Sequence, residues 1–238
     1  MDAVTRAALA ERWAYRATLE VAAGIRFQRL AERLEVHRAA PALVELAVAA
    51  TTQERHHVML CAEAAARFGH VGAVVTTTTV EEIAPATLAP RDRLVYEVVA
   101  SCCITETANA AVVLAGAADV ADGAIRRTVR TILADEVQHS QLGWRFLATH
   151  PLDDAQRAWL GGYLPHMLRG TVRDELFAPA PIIGDELTMQ AFGTLPLAGR
   201  RQAFLDTMRA VVFPGLAAVG VDTSRGAAYL DRLVARAS

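Results

Sequence analysis

Apolar residues recur at helical spacing over most of the first 150 positions of this chain. From residue 3 to residue 36 the pattern includes Leu30 and Leu34 and is interrupted by no proline, which is typical of one long helix. The periodicity resumes at Pro41, a residue favoured in the first turn of a helix, and continues to Gly69. Because few residues separate the two stretches, they predict two antiparallel helices in contact.

Two further helices are predicted after a long break in this pattern. The stretch from Gly69 to Pro90 contains two glycines, two prolines and four consecutive threonines, a composition that disfavours helix and favours an extended connection. Helical periodicity returns from about Arg91 to Ala118 and again from about Gly123 to Thr149, before Pro151. Two helical hairpins joined by one long crossover between helices 2 and 3 form a four-helix bundle with the ferritin-like topology.

Beyond Pro151 the pattern predicts additional C-terminal helices. Residues 153–176 and 200–212 look helical, and a stretch rich in proline and glycine separates them from Pro179 to Gly199. We therefore expect an all-α protein in two parts. Residues 1–150 would form the four-helix bundle, and residues 151–238 would be an extension that packs on it, either within the same domain or as a lid.

Composition and charge exclude several classes of function. The 24 basic and 26 acidic residues are spread along the chain and leave a net charge of −2, so no nucleic-acid partner is expected. All the basic residues are arginine, which excludes a P-loop lysine and a Schiff-base lysine. The three cysteines have no Cys-x-x-Cys spacing for zinc or for a rubredoxin-like iron site. No uninterrupted apolar window of about 18 residues and no signal peptide is apparent, which predicts a cytoplasmic protein without a membrane partner.

Each predicted hairpin carries a glutamate on its first helix and a Glu-x-x-His on its second. Residues three apart share one face of a helix, so the carboxylate and imidazole of each motif can bind the same metal ion. At about 1.5 Å per residue, all these side chains lie near mid-helix. Such a set inside an apolar bundle is tolerable only if it binds cations or neutralises itself. The predicted metal ligands are Glu20, Glu54, His57, Glu106, Glu136 and His139.

The chemistry of this ligand set favours iron. Hard carboxylates combined with imidazoles suit iron(II) or manganese(II), whereas structural zinc prefers four nitrogen or sulfur ligands in a closed site. We expect two iron ions as cofactors, with manganese in one or both positions left open. The alternative interpretation is that these residues are surface charges or local ion pairs.

The order of these residues resembles that in the ferritin-like di-iron carboxylate proteins. These include bacterioferritins, rubrerythrins, ribonucleotide reductase small subunits, acyl carrier protein desaturases and bacterial multicomponent monooxygenases. The resemblance covers roughly the first 150 residues. It implies that Glu54 and Glu136 are able to bridge the irons and that His57 and His139 each cap one ion. It further implies that Asp135 supports a histidine across the site, the alternative being a solvated carboxylate.

A pair of cysteines also falls close to a predicted ligand. Cys102 and Cys103 lie four and three residues before Glu106, at a position where related monooxygenases line their oxygen pocket with small residues. The alternative is that both are buried side chains that pack as small apolar residues.

The resemblance implies an O2-dependent oxidoreductase. With O2 as co-substrate, the six ligands would form the catalytic centre and oxidise a small, mainly apolar organic molecule, in a reaction of oxygenase, oxidase or desaturase type. An external electron donor, such as a reductase or ferredoxin, and a homodimer are compatible with this function. Two alternatives are open: a ferroxidase or iron-storage protein, and a helical bundle in which metal has only a structural role. The C-terminal extension favours the enzyme, because storage shells do not require it.

Overall fold

The computed structural model describes residues 1–72, 80–171, 174–177 and 183–237, and every regular element in these ranges is a helix. The predicted all-α class is therefore confirmed. In chain order the helices are α1 (Ala3–Val36), α2 (Pro41–Arg67), α3 (Pro90–Ala117), α4 (Gly123–Thr149), α5 (Asp154–Thr171), α6 (Asp174–Phe177), α7 (Glu186–Ala191), α8 (Leu197–Thr207, Met208–Val212 and Phe213–Ala218 in succession) and α9 (Ser224–Ala237).

The four long helices predicted before residue 150 are confirmed with nearly the predicted ends. Asp2 caps α1 by accepting a hydrogen bond from the backbone N–H of Thr5 at 2.8 Å, and Asp122 does the same for the first turn of α4. Pro41 begins α2. The described parts of the predicted crossover contain no helix, and residues 73–79 of it lie outside the described ranges.

The chain forms two compact units, each built from segments that are distant in sequence. The first unit comprises Met1–Glu81, Val113–Gln138 and Pro181–Pro196, and the second comprises Glu82–Val112, His139–Ala180 and Leu197–Ser238. The long helices α3 and α4 therefore contribute residues to both units. The predicted division of the chain at residue 150 stays a prediction.

The first unit is organised around the hairpin of α1 and α2. Its apolar core includes Leu9 and Trp13 from α1, Phe68 after α2 and Ile132 from α4. The short helix α7 packs against α1, and the indole N–H of Trp13 donates to the backbone oxygen of Phe192 at 3.2 Å. Several predicted ligands lie on the helices that enclose this core.

The second unit packs α5 against α9 and against the middle of α3. Gly226 of α9 allows close packing, because a Cβ atom there would lie 3.2 Å from both Leu164 and Phe213. The hydroxyl of Tyr96 lies 2.6 Å from Nδ1 of His166 on α5. These contacts anchor the C-terminal helices of this unit.

The middle of α3 is a π-helix from Val98 to Glu106 rather than the ordinary α-helix that the sequence predicted. Two threonine hydroxyls support the wider turn by donating to backbone carbonyls five residues earlier. Thr105 donates to Ala100 at 2.9 Å, and Thr107 donates to Cys102 at 3.3 Å. Turns of π-helix are uncommon and concentrate at functional sites. This segment therefore makes the region around Glu106 a candidate functional region.

The C-terminal helices differ in part from the prediction. Helix α8 extends from residue 197 to residue 218, whereas 200–212 was predicted. Pro214 does not end α8, although proline has no backbone N–H to donate. The turn before it is π-helical, since the Phe213 N–H donates to the carbonyl oxygen of Met208 five residues back. This wider turn accommodates the proline. Helices α7 and α9 were not predicted, although Asp185 and Asp222 precede them as capping residues.

Helix α3 is long and apolar enough, by length and composition alone, to cross a membrane. More than half of its most apolar stretch is buried inside the structure, as in the core helix of a soluble protein, so the observation is weak evidence for a membrane span.

Candidate metal centre

Four of the predicted ligands meet in the first unit. Each of Glu20, Glu54, His57 and Glu136 offers one ligand atom, and these atoms all lie within 4.8 Å of one another. All four side chains are buried, the most exposed being Glu20 at 4%. A buried cluster of three carboxylates and one imidazole could hold a metal ion. We call these four residues the first-unit cluster.

Three helices supply the first-unit cluster. Glu20 comes from α1, Glu54 and His57 come from one face of α2, and Glu136 comes from α4. Gly24, one turn after Glu20, keeps the hairpin close: a Cβ atom there would lie 3.4 Å from Cβ of Glu54. The small residue therefore brings α1 and α2 near each other beside the ligands.

Asp135 orients the imidazole of the cluster. Its Oδ2 lies 3.0 Å from Nε2 of His57, and its Oδ1 accepts a hydrogen bond at 3.0 Å from the side chain of Gln53. A neutral His57 that donates from Nε2 carries its lone pair on Nδ1. That atom lies 3.4 Å from Oε2 of Glu54, on the side of the carboxylates. The arrangement therefore leaves Nδ1 as the nitrogen of His57 that could bind a metal ion.

Arg16 is a charged neighbour of the cluster that the sequence interpretation missed. Its Nε donates to Oε1 of Glu20 at 2.9 Å, and its Nη2 lies 3.8 Å from Oε1 of Glu136. The side chain is only 22% exposed. The signal was available, because Arg16 precedes Glu20 by four residues and such pairs meet on one helix face. Arginine is not a metal ligand, so the pattern of glutamates and histidines did not include Arg16.

Burial and like charge perturb the titration of the cluster. Burial raises the pKa of Glu20 to about 8; Arg16 opposes this shift, while Glu54 and Glu136 reinforce it. For His57, burial lowers the pKa, but the hydrogen bond to Glu54 and the charges of the three glutamates outweigh burial and raise it above its ordinary value. In the metal-free fold, Glu20 and His57 therefore hold their protons to a higher pH than in the unfolded chain.

This shift predicts that the metal-free protein loses stability as the pH rises. The pKa of Glu20 increases from 4.5 in the unfolded chain to about 8 in the fold, so its stabilising contribution is complete below about pH 4.5 and is lost as the pH rises through about 8. The raised pKa of His57 acts in the same direction. Chemical denaturation with a chelator should give a lower free energy of unfolding at about pH 8.5 than at about pH 5.5. The variant Glu20→Gln should show a smaller decrease, and an equal decrease would contradict the assignment.

The other two predicted ligands belong to the second unit. Glu106 is the last residue of the π-helical segment, and His139 follows Glu136 by three residues on α4. Both are buried, with 7% and 1% of their surface exposed. Their assignment as metal ligands stays a prediction.

Cys102 and Cys103 are fully buried in the π-helical segment. Burial, together with the Glu106 carboxylate, holds the pKa of Cys102 well above its usual range, and burial raises the pKa of Cys103. Both thiols are therefore protonated at neutral pH. They pack against Gly143 of α4, where an added Cβ atom would lie 2.7 Å from Sγ of Cys103 and 2.8 Å from Cβ of Cys102. This close packing fits small buried side chains, and their role beside an oxygen pocket stays a prediction.

The first-unit cluster offers carboxylate oxygens and one imidazole nitrogen, a donor set that could hold a metal ion. Comparison with known proteins finds no matching family model, no matching curated protein and no matching solved structure.

Proposed function

We propose that this protein is a ferritin-like di-iron oxidoreductase that uses O2 to oxidise a small organic molecule. The observation that carries the proposal is the first-unit cluster, in which three buried carboxylates and a histidine from three helices lie within 4.8 Å. The sequence pattern selected the same four positions without knowledge of the fold. We further propose that α1 to α4 are arranged as the ferritin-like four-helix bundle.

The charge of the cluster supports a bound cation. Three carboxylates that share one dry site repel one another, and desolvation adds several kcal/mol of cost for each ionised group. Arg16 supplies a single positive charge, which is not enough to balance three negative ones. In the metal-free fold a proton on Glu20, whose pKa is raised to about 8, reduces this imbalance. A bound divalent ion would replace that proton and take the carboxylate oxygens as ligands.

The second ion of the proposal depends on the sequence pattern. Glu106 and His139 complete the repeated motif of one glutamate and one Glu-x-x-His, and both side chains are buried. Their burial is compatible with a role as metal ligands.

The residues of this chain would bind and orient the metal and exclude water. Glu20, Glu54, Glu136 and His57 would hold the first ion, and Asp135 would fix the tautomer and the ring orientation of His57. A bound iron pair would supply the electrons that reduce O2. The burial of the cluster keeps bulk water away from the reacting atoms.

Anaerobic loading with iron(II) followed by exposure to O2 tests the proposal. Bound iron is measured by elemental analysis after gel filtration, and O2 consumption is followed with an electrode in the presence of a reductant and a panel of small apolar molecules. We expect about two iron ions per chain and O2 uptake that increases with one class of molecule. Rapid iron oxidation with many ions retained per chain would favour a ferroxidase or storage role, and bound iron without O2 uptake would favour a structural role. No bound iron would refute the proposal.

Asp135→Asn tests the orientation of the histidine. Asparagine keeps the shape of Asp135 but loses the charge that favours the Nε2–H tautomer of His57, so metal affinity should fall by about 10- to 100-fold. Isothermal titration with manganese(II) measures the change. Asp119→Asn removes an exposed carboxylate of the same unit and serves as the control, with unchanged affinity. An equal loss in both variants would contradict the role of Asp135.

A further inference from the structure

Arg16 makes contacts that concern the metal-free state of the cluster. Its Nε donates to Glu20 at 2.9 Å, while its Nη2 is buried, has no hydrogen-bond partner within the described ranges and lies 3.8 Å from Glu136. The guanidinium thus faces two carboxylates that come from different helices.

The charges of the cluster explain what this guanidinium can do. Glu20, Glu54 and Glu136 carry three negative charges when ionised, and Arg16 carries one positive charge. In the metal-free protein, Arg16 therefore offsets part of the repulsion that burial would otherwise make severe. When a divalent ion binds, the positive charge of Arg16 is close to it and opposes it.

Glu20 is the carboxylate for which Arg16 and a metal ion would compete. The carboxylate that receives the Arg16 hydrogen bond also belongs to the set of ligand atoms within 4.8 Å. Electron density that the carboxylate shares with the guanidinium is less available to a metal ion. A hydrogen bond from Arg16 and coordination of a metal ion therefore exclude each other in part at the Glu20 carboxylate.

We propose that Arg16 is a resident counter-ion that competes with the metal for Glu20, so that it stabilises the metal-free fold and lowers the affinity for the ion. This inference rests on the proposed metal-binding function. Its consequence is regulatory: the protein folds before it meets metal, and loading and release of the ion stay reversible. Removing the charge of Arg16 should therefore lower the stability of the metal-free fold and raise the affinity for the metal ion.

Arg16→Gln separates this role from a purely structural one. Glutamine keeps a hydrogen-bond donor for Glu20 and removes the charge. We expect manganese(II) and anaerobic iron(II) to bind on the order of tenfold more tightly than in the wild type. The melting temperature in the presence of chelator should fall, and the increase in melting temperature on adding metal should be larger than in the wild type. Arg16→Lys keeps the charge and should stay within about threefold of the wild-type affinity.

Arg55→Gln is the matched control. Arg55 directly follows Glu54 in the sequence, but its side chain is exposed on the outside of α2, so the same loss of charge should leave the affinity unchanged. Failure of the wild type to bind metal refutes the proposed function and this inference with it. Wild-type binding with unchanged or weaker binding by Arg16→Gln overturns the inference alone. If Arg16→Gln folds only with metal present, the inference is supported, because the ion then replaces the guanidinium; failure to fold with or without metal would overturn it.

Discussion

Replacing Glu136 by glutamine is expected to abolish metal binding at the first-unit cluster. Glu136 is completely buried and lies within 4.8 Å of the ligand atoms of Glu20, Glu54 and His57. Glutamine has the same shape but no charge, and a neutral amide oxygen is a much weaker ligand for a hard cation. Anaerobic titration with iron(II) or manganese(II) should show affinity at least about 100-fold below that of the wild type.

The same substitution should have the opposite effect on stability without metal. Removal of one of three buried like charges relieves repulsion, so the free energy of unfolding in chelator should not fall. Glu63→Gln is the control, because Glu63 is an exposed glutamate on α2 and its loss should change neither quantity. Equal metal binding by the two variants would refute the assignment of Glu136. A large loss of metal-free stability in Glu136→Gln alone would indicate that this carboxylate has a structural role.

Replacing Gly143 by alanine is expected to destabilise the second unit strongly. A Cβ atom at this position would lie 2.8 Å from the backbone nitrogen of Cys103 and even closer to its Sγ. Backbone and buried side chains on the π-helical segment cannot move aside cheaply in a close-packed interior. We expect a loss of about 2–3 kcal/mol in the free energy of unfolding, measured by chemical denaturation.

Gly170→Ala provides the comparison for Gly143→Ala. Gly170 is a helical glycine near the end of α5, and an added Cβ atom there would meet nothing within 4 Å. Alanine should therefore be neutral or stabilise by up to about 1 kcal/mol, because it favours the helix and restricts the unfolded chain. Equal stability of the two variants would contradict the close contact between Gly143 of α4 and the π-helical segment.

The helices before residue 150 could be predicted from the sequence because their signals are local. The apolar spacing of α1 and α2, Pro41 in a first turn and the Pro- and Gly-rich crossover each act within a few residues. The Glu-x-x-His motif is equally local, since residues three apart share a helix face in any helix. The candidate ligands could therefore be selected before their distances were known.

Other features could not be predicted because they arise between segments. The π-helical turn around Cys102 depends on threonine hydroxyls and on the space that Gly143 leaves beside it. The short helix α7 is held by α1 rather than by its own six residues, which are too few to form a stable helix alone. Gln53 reaches Asp135 across 82 positions of sequence, which no local pattern records.

The sequence alone determined the all-helical class, the ends of the long helices and the positions that could carry a metal. Only the tertiary structure decided that Glu20, Glu54, His57 and Glu136 meet, and that Arg16 and Asp135 share their surroundings. The physical reason is the range of the forces. Helix propensity and capping act along a few neighbouring residues, whereas burial and charge at one site are sums over side chains from several helices.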